Sequence, residues 1–293
     1  MIDLEPKQGK LISIGRFFKD YPVFPAILLG TLIIMGLLSI FWSPHHPVRG
    51  DLRDRHIPPA WQEGGEWKHP FGTDQQGRDV LTRIMHGARV SLTFATATMI
   101  TGLGLGLLFG CLAGYYGGHI DEIIMRFVDL ANALPFILAA LVVVSIFGSS
   151  FLTLLVIISL FSWGGFARQI RGEILRIREM DYVALARVAG ASPTRIIIKH
   201  LIPGIINTTI VVATLGTGGI ILAESTLSFL GVGIPPPNPA WGSMVSQGRE
   251  YIDSSWWIAV IPGLGIAFTV LSLNFIGDWL RDKLDPMLRQ QIN

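Results

Sequence analysis

Residues Asp181–Pro203 read DYVALARVAGASPTRIIIKHLIP, and the order of residue types predicts two short helices around a glycine. Asp181 is placed to cap a two-turn helix in which Ala184, Leu185, Val188 and Ala189 share a face. Gly190 stands where helices commonly end in a left-handed conformation. Ser192 can cap a second helix, with Pro193 at its first position, where the missing N–H costs nothing. Pro203 closes the module. Arg187, Arg195 and Lys199 make it basic. A pair of this kind suits either a DNA groove or a cleft in another protein, and the flanking sequence separates the two.

The flanks are apolar. Six segments approach the ~20 residues a bilayer requires, at about 22–42, 92–116, 123–148, 150–168, 204–230 and 256–280. Backbone groups in lipid must bond within their own segment, so each is read as a helix. Composition agrees. Half of the 293 residues are hydrophobic and 15% are charged, against roughly 25% charged in soluble domains. Mean hydropathy is +0.51. The fold class expected is an all-α polytopic membrane protein with six transmembrane helices. A formal charge of +2 and a tether to the bilayer at both ends of residues 168–203 argue against a nucleic-acid partner. Cys111 is the single cysteine and lies in an apolar run, which excludes an intrachain disulfide. The first twenty residues contain no signal-peptide core, so the first span is expected to remain as an anchor.

Basic residues set the orientation. Lys7, Lys10, Arg16 and Lys19 precede the first span. Arg168, Arg171, Arg176, Arg178, Arg187, Arg195 and Lys199 lie in the fourth connection. Arg281, Lys283 and Arg289 follow the last span. With an even count of spans all fall on one side, expected to be cytoplasmic. Residues 231–255 hold only Arg249 and are expected outside. Residues 43–91 disagree, with seven basic residues, but they are long and also acidic. The domain expectation is a cytoplasmic tail at 1–21, a first transmembrane helix at 22–42, and an outer segment with an interfacial helix at 43–91. A five-helix core at 92–280 includes a cytoplasmic loop at 169–203, and a second tail occupies 281–293.

The outer segment ends in HPFGTDQQGRDVLTRIMHGARVSL (69–92). Gly72 and Gly77 permit tight turns and Asp79 is an N-cap. Val80, Leu81, Ile84, Met85 and Ala88 follow at helical spacing, with Arg83 and His86 turned elsewhere. That pattern suits an interfacial helix, or a turn that only leads into the second span. Gly102, Gly106, Gly110, Gly114 and Gly118 recur every four residues, which favours close helix packing over a ligand role. No strand precedes them and no Lys-Ser/Thr follows, so they are not a phosphate loop. After the fifth span, three consecutive prolines bar a helix. Ala240–Glu250 can form a short helix, and Trp256 and Trp257 read as interfacial anchors.

Polar residues in or beside the spans are few: Asp129, Asn132, Glu224 and Asn274. Such groups usually face a cavity or a partner, which makes them candidates for a translocation path. Arg126 lies one turn from Asp129 and offers a local ion pair. Glu224 has no near-sequence partner and lines a path or bonds to a neighbouring helix. The histidines are scattered, and no metal-ligand cluster or nucleophile–base pair is visible. A stand-alone secondary transporter would need intramembrane charges and inverted repeats. A membrane-embedded enzyme would need a catalytic pair in the spans. Neither feature is evident.

Ala184–Leu185–Ala186, followed by Gly190 and Pro203, resembles the Glu-Ala-Ala loop of permease subunits in binding-protein-dependent ABC importers. Ala184 stands where that family carries Glu. HPFGTDQQGRDVLTRIMHGARVSL (69–92), LSFLGVGIPPPNPAWGSM (227–244) and FIGDWLRDKLDP (275–286) narrow the resemblance to the C-type permease subunit of dipeptide, oligopeptide and nickel importers. PPAWQEGG (58–65) resembles the dipeptide branch. The resemblance implies a type I importer fold in a bacterial inner membrane. It implies a homologous second permease, two cytoplasmic ATPases that bind ATP and Mg²⁺, and an extracytoplasmic binding protein. This chain would then bind no cofactor and hydrolyse nothing. Ala184, Leu185, Ala186, Gly190, Ala191, Ser192 and Pro203 would couple to an ATPase. The cargo implied is a dipeptide or short peptide, with a nickel chelate, haem or glutathione as alternatives.

Overall fold

The computed structural model of the protein describes residues 21–235 and 237–284. The basic residues Lys7, Lys10, Arg16, Lys19 and Arg289, the middle proline Pro236 and the end of FIGDWLRDKLDP lie outside that range. The described residues form helices and loops with one isolated two-residue bridge, Thr73 to Asp79. Five helices are long and apolar enough to cross a membrane, and the number is six if a bent pair counts as one span.

The first span is α1, Val23–Phe41. Its outer face exposes Ile27, Ile34, Leu37 and Phe41, an apolar surface suited to lipid. The second helix, α2, runs unbroken over Val80–Tyr116. The segment read as interfacial and the second span are thus one element. The Asp79 carboxylate accepts from the Thr82 N–H at 2.7 Å and starts it.

The segment read as one third span is broken. Helix α3 (Gly118–Ala133) and α4 (Phe136–Phe147) meet at 84°. The cause is local: Pro135 drives Leu134 out of the helical region, to φ −84° and ψ 130°. Helix α5 covers Phe151–Ile177, so the short fourth span continues well beyond the apolar run. The Ser150 hydroxyl accepts from the Thr153 N–H at 3.0 Å at its start.

A short connection leads to α6 (Asp181–Val188) and α7 (Pro193–Ile196). Pro203 does not close this module. Residues Ile197–Leu201 make a π-turn that runs directly into α8, Ile202–Phe229. Proline removes one backbone donor and its ring crowds the preceding turn, and a widened turn relieves both. The last elements are α9 (Trp241–Gly248) and α10 (Trp257–Leu284).

Packing follows the glycines. The most extensive helix contact joins α2 and α5. A Cβ at Gly102 would lie 2.5 Å from Ser162 Oγ, at Gly110 2.7 Å from the Ala167 carbonyl, and at Gly114 2.7 Å from Ile174 Cβ. At Gly106 it would overlap Phe166 Cβ. These four bare positions let the helix axes approach closely. Gly118 departs from the ridge, because α2 ends at Gly117 and Gly118 opens α3.

Two ends of the molecule can be distinguished. At one, Lys283 Nζ sits 5.7 Å from the centre of the Tyr21 ring, so the start of the described chain lies beside the end of α10. At the other, the 43–79 segment and α9 cover the start of α2. The fully buried Trp241 donates from Nε1 to the Ile84 carbonyl at 3.1 Å, and a Cβ at Gly87 would lie 2.8 Å from its ring. Trp257 is buried and donates to the Thr73 carbonyl at 3.0 Å, so it belongs to this packed cap and not to a lipid interface.

Candidate functional site

The α6–α7 pair is held from beneath. Val183 of α6, Ile196 of α7 and Leu201 of the π-turn are fully buried against Ile170, Ile174 and Ile177 of α5. Val183 lies outside the apolar set read from the sequence. That set faces outward instead: Ala184, Leu185, Val188 and Ala189 are exposed, Val188 at 87%. The module therefore presents a small apolar face beyond the helix bundle.

Its geometry is fixed by the backbone. Gly190 has φ +79°, the left-handed region. Ala191 N donates to the Ala186 carbonyl at 3.0 Å and Gly190 N to the Arg187 carbonyl at 2.9 Å. This pair of bonds is a Schellman stop. Ala186 and Ala191, bonded across it, both pack on the apolar cluster below. The Ser192 hydroxyl accepts from the Arg195 N–H at 3.4 Å, and Pro193 takes the first position of α7. Asp181 is itself the first residue of α6, with Met180 at the cap, and its side chain caps nothing. Arg187 lies over the Tyr115 ring at 5.8 Å, and Arg178 donates to the Gly114 carbonyl at 2.8 Å. Both tie the base of the module to the end of α2.

The four candidate path residues do not converge. Asn132 lines an open cavity of about 590 Å³ together with Leu134, Pro135, Ser162, Gly216 and Ala223. Asp129 is exposed and pairs with Arg168 of α5, while Arg126, its sequence neighbour, pairs with Glu122 at 3.7 Å. Helix α3 is tied to α5 again by Arg171, which bonds both oxygens of Asp121. Glu224 is 1% exposed. Ser228 donates to its Oε1 at 2.6 Å and Ser225 approaches Oε2 at 3.5 Å. Its partners are thus on its own helix, one residue and one turn away, where the sequence reading found none. Asn274 is exposed on α10, its side chain near Gly218 of α8.

At the opposite end, Asp74 is fully buried. It accepts from Gln76 N at 2.8 Å, Arg78 N at 3.0 Å and Arg78 Nε at 2.6 Å, and it pairs with Arg83. Arg83, read as turned away, is itself 3% exposed and also donates to Gln247 Oε1 at 3.1 Å. Gly72 and Gly77 take φ +78° and +69° in the turns that build this knot. His69, 24 residues from His45, is brought beside it at the Asp79 carboxylate. No local spacing signalled that cluster, because the chain assembles it by folding a long loop.

Comparison with known proteins places this architecture. Residues 106–290 match the family described as binding-protein-dependent transport system inner membrane component. The chain is 37% identical over 264 residues to the di/tripeptide transport system permease protein DppC of Pseudomonas aeruginosa, covering 90% of this chain and 87% of that one. It is 37% identical over 285 residues to the dipeptide transport system permease protein DppC of Bacillus subtilis, covering 97% and 84%. DppC of Haemophilus influenzae is likewise 37% identical, over 262 residues, covering 88% and 89%. A chain of the MetNI methionine ABC transporter in an inward-facing conformation superposes with a TM-score of 0.58 at 18% identity, covering 69% of this chain and 96% of that one. A second crystal form gives 0.57 at 19% identity. The chain belongs to the binding-protein-dependent transport system inner membrane component family and has the type I ABC importer permease fold.

Proposed function

We propose that this chain is the permease subunit through which an ATP-driven importer passes dipeptides or short peptides. Relatives at 37% identity over nearly the whole chain, named for dipeptide and di/tripeptide transport, carry this reading. A homologous second permease completes the path, two cytoplasmic ATPases bind ATP and Mg²⁺, and an extracytoplasmic protein delivers the cargo. This subunit does no covalent chemistry.

The α6–α7 module is the mechanical joint. It is anchored on α5 and α8 and carries an exposed apolar face at Ala184, Leu185 and Val188. An ATPase cleft that closes on ATP would push this knob as a unit, and the push would pass along the continuous α7–α8 rod into the bundle. Basic residues at the same end favour placing it in the cytoplasm. Arg176 and Arg281 line one cavity there, and Tyr21 lies beside Lys283. Both termini then lie in the cytoplasm, and the cap built on residues 43–79 and α9 faces outward.

The test is purification of the tagged chain from its native membrane, followed by uptake of a labelled dipeptide in cells lacking it. The expected result is recovery of a second permease and two ATPases, and loss of uptake that the restored gene reverses. Transport by the isolated chain in ATP-free vesicles would defeat the reading.

A further inference from the structure

We propose that His45, His69 and Asp79 form a binding site for one divalent transition-metal ion of the Zn²⁺ type, which fastens the connection between α1 and α2 to the start of α2. The three side chains can each offer one ligand atom, and those atoms all lie within 4.8 Å of one another. His69 Nδ1 is 3.0 Å from Asp79 Oδ1, and His45 Nδ1 is 3.8 Å from Asp79 Oδ2. The His69 and Asp79 side chains are 4% and 0% exposed. The cluster opens on a cavity of about 510 Å³ whose wall also includes Asp54 and Lys68.

The hydrogen-bond balance of the cluster is what calls for a cation. A neutral imidazole carries one N–H and one lone pair. His69 faces a carboxylate on each side: Asp79 at Nδ1, and Asp54 Oδ2 at 3.9 Å from Nε2. Whichever nitrogen carries the proton, the other turns a lone pair toward a carboxylate oxygen. His45 Nδ1 adds to the imbalance, since it is buried, points at the same Asp79 carboxylate and has no hydrogen-bond partner; His69 Nε2 is also buried without one. Without a metal only His69 Nδ1–H can be satisfied, by donating to Asp79 Oδ1 at 3.0 Å, and His45 Nδ1 and His69 Nε2 are left without partners. A metal ion among His45 Nδ1, His69 Nδ1 and Asp79 replaces that one bond with three ligand bonds. His69 Nε2–H then donates toward Asp54, the carboxylate–histidine–metal arrangement that orients imidazole ligands. Lys68 already holds Asp54 in place at 3.1 Å.

The site is preorganised and selective. The His45 backbone N–H donates to Thr82 Oγ1 at 3.2 Å, which fixes it over the first turn of α2. The neighbouring His46 is committed elsewhere, because its Nδ1 accepts from Val48 N and Arg49 N at 3.1 Å each. Two imidazoles and one carboxylate suit zinc-like ions and not the all-oxygen shells of Ca²⁺ or Mg²⁺. Three protein ligands leave a fourth position for water or an outer ligand.

The test uses the full chain carrying a non-histidine tag, stripped with chelator and titrated with Zn²⁺. The parent should bind one Zn²⁺ per chain and melt at a higher temperature with it. His45→Ala, on a half-buried loop, should weaken binding by more than ~100-fold, since loss of an outer-shell partner alone costs roughly 10–100-fold. Asp79→Asn should do the same while keeping an acceptor for the Thr82 N–H, so α2 still starts correctly. Asp54→Asn should fall in the outer-shell range. His119→Ala, at a side chain 98% exposed on α3, should bind like the parent. Absence of stoichiometric Zn²⁺ in the parent overturns the proposal whatever the variants do. Parent-like affinity in His45→Ala overturns it equally.

Discussion

Arg83 on α2 pairs with Asp74, nine residues earlier in the chain, and both side chains are withdrawn from water. Arg78 binds the same carboxylate, and Gln247 of α9 receives both guanidinium groups, at 3.2 Å from Arg78 and 3.1 Å from Arg83. One buried anion thus ties a loop, the start of α2 and the short α9. Removing one partner of a buried pair leaves an uncompensated charge, at a cost of about 3–5 kcal/mol. Asp74→Ala should therefore lower the melting temperature of the purified chain sharply and loosen α9, with earlier proteolysis between residues 231 and 255. An unchanged melt and digestion pattern would mean that the knot contributes no stability.

The glycine ridge permits an internal control. A Cβ on Gly106 overlaps Phe166 and reaches the Ala167 backbone nitrogen at 3.0 Å, whereas Gly104, on the other face, has nothing within 4 Å. Overpacking costs about 1–3 kcal/mol, while Gly to Ala in a free helix position gains up to roughly 1 kcal/mol. Gly106→Ala should destabilise the chain in detergent and Gly104→Ala should be neutral or mildly stabilising. Equal melting of the two variants would show that α2 and α5 part easily enough for the ridge not to matter.

The sequence made the helical architecture readable because its signals are local. Apolar length gives the spans, every-fourth-residue glycine gives the α2 ridge, and the order Gly190, Ser192, Pro193 gives the stop and restart between α6 and α7. What escaped depends on contacts distant in sequence. Asp129 has Arg126 at helical reach, yet pairs with Arg168, because α3 lies against α5. Arg83 carries a charge that reads as exposed, and only the fold of the 69–79 turn supplies Asp74. His45 and His69 look unrelated until the 38-residue connection at 42–79 folds over the start of α2. Pro203 reads as a terminator, yet a π-turn absorbs it within a continuous helix.

Glu224 tests whether a buried acid in α8 is structural or takes part in passage. Its hydrogen bonds come from Ser228 and Ser225 of the same helix. Glu224→Gln keeps an acceptor for the Ser228 hydroxyl and should leave the yield of assembled complex close to that of the parent. Glu224→Leu removes it and leaves buried hydroxyls with fewer partners, at about 1–3 kcal/mol, so complex yield should fall. Uptake then separates the roles. Reduced dipeptide uptake by the Gln variant, with normal assembly, assigns the negative charge to cargo passage. Normal uptake by both variants removes the residue from the mechanism.

Gly190 offers the sharpest test of the joint, because its backbone and its surroundings make different demands. Its φ of +79° belongs to the region that L side chains avoid, yet a Cβ there would meet nothing within 4 Å. Any effect of substitution is therefore backbone strain, roughly 1–3 kcal/mol for a non-glycine residue, and not a clash. Asn tolerates this region better than most residues, and β-branched Val worst. The expected order of damage is Gly190→Asn least, Gly190→Ala next and Gly190→Val most. Because α6 is only eight residues long, the cheapest relief of strain is a shift of its C-terminal end, which moves the exposed Leu185 and Val188 that face the proposed ATPase cleft. ATPase recovery and uptake should decline in that order, while membrane insertion is unchanged, since the spans are untouched, and the melt of the isolated chain falls only by the strain that the shift leaves unrelieved. Equal uptake for Gly and Val at this position would exclude α6 and α7 from transmitting force. A uniform loss across all three variants would point to a need for bare backbone at the docking face in place of a left-handed turn.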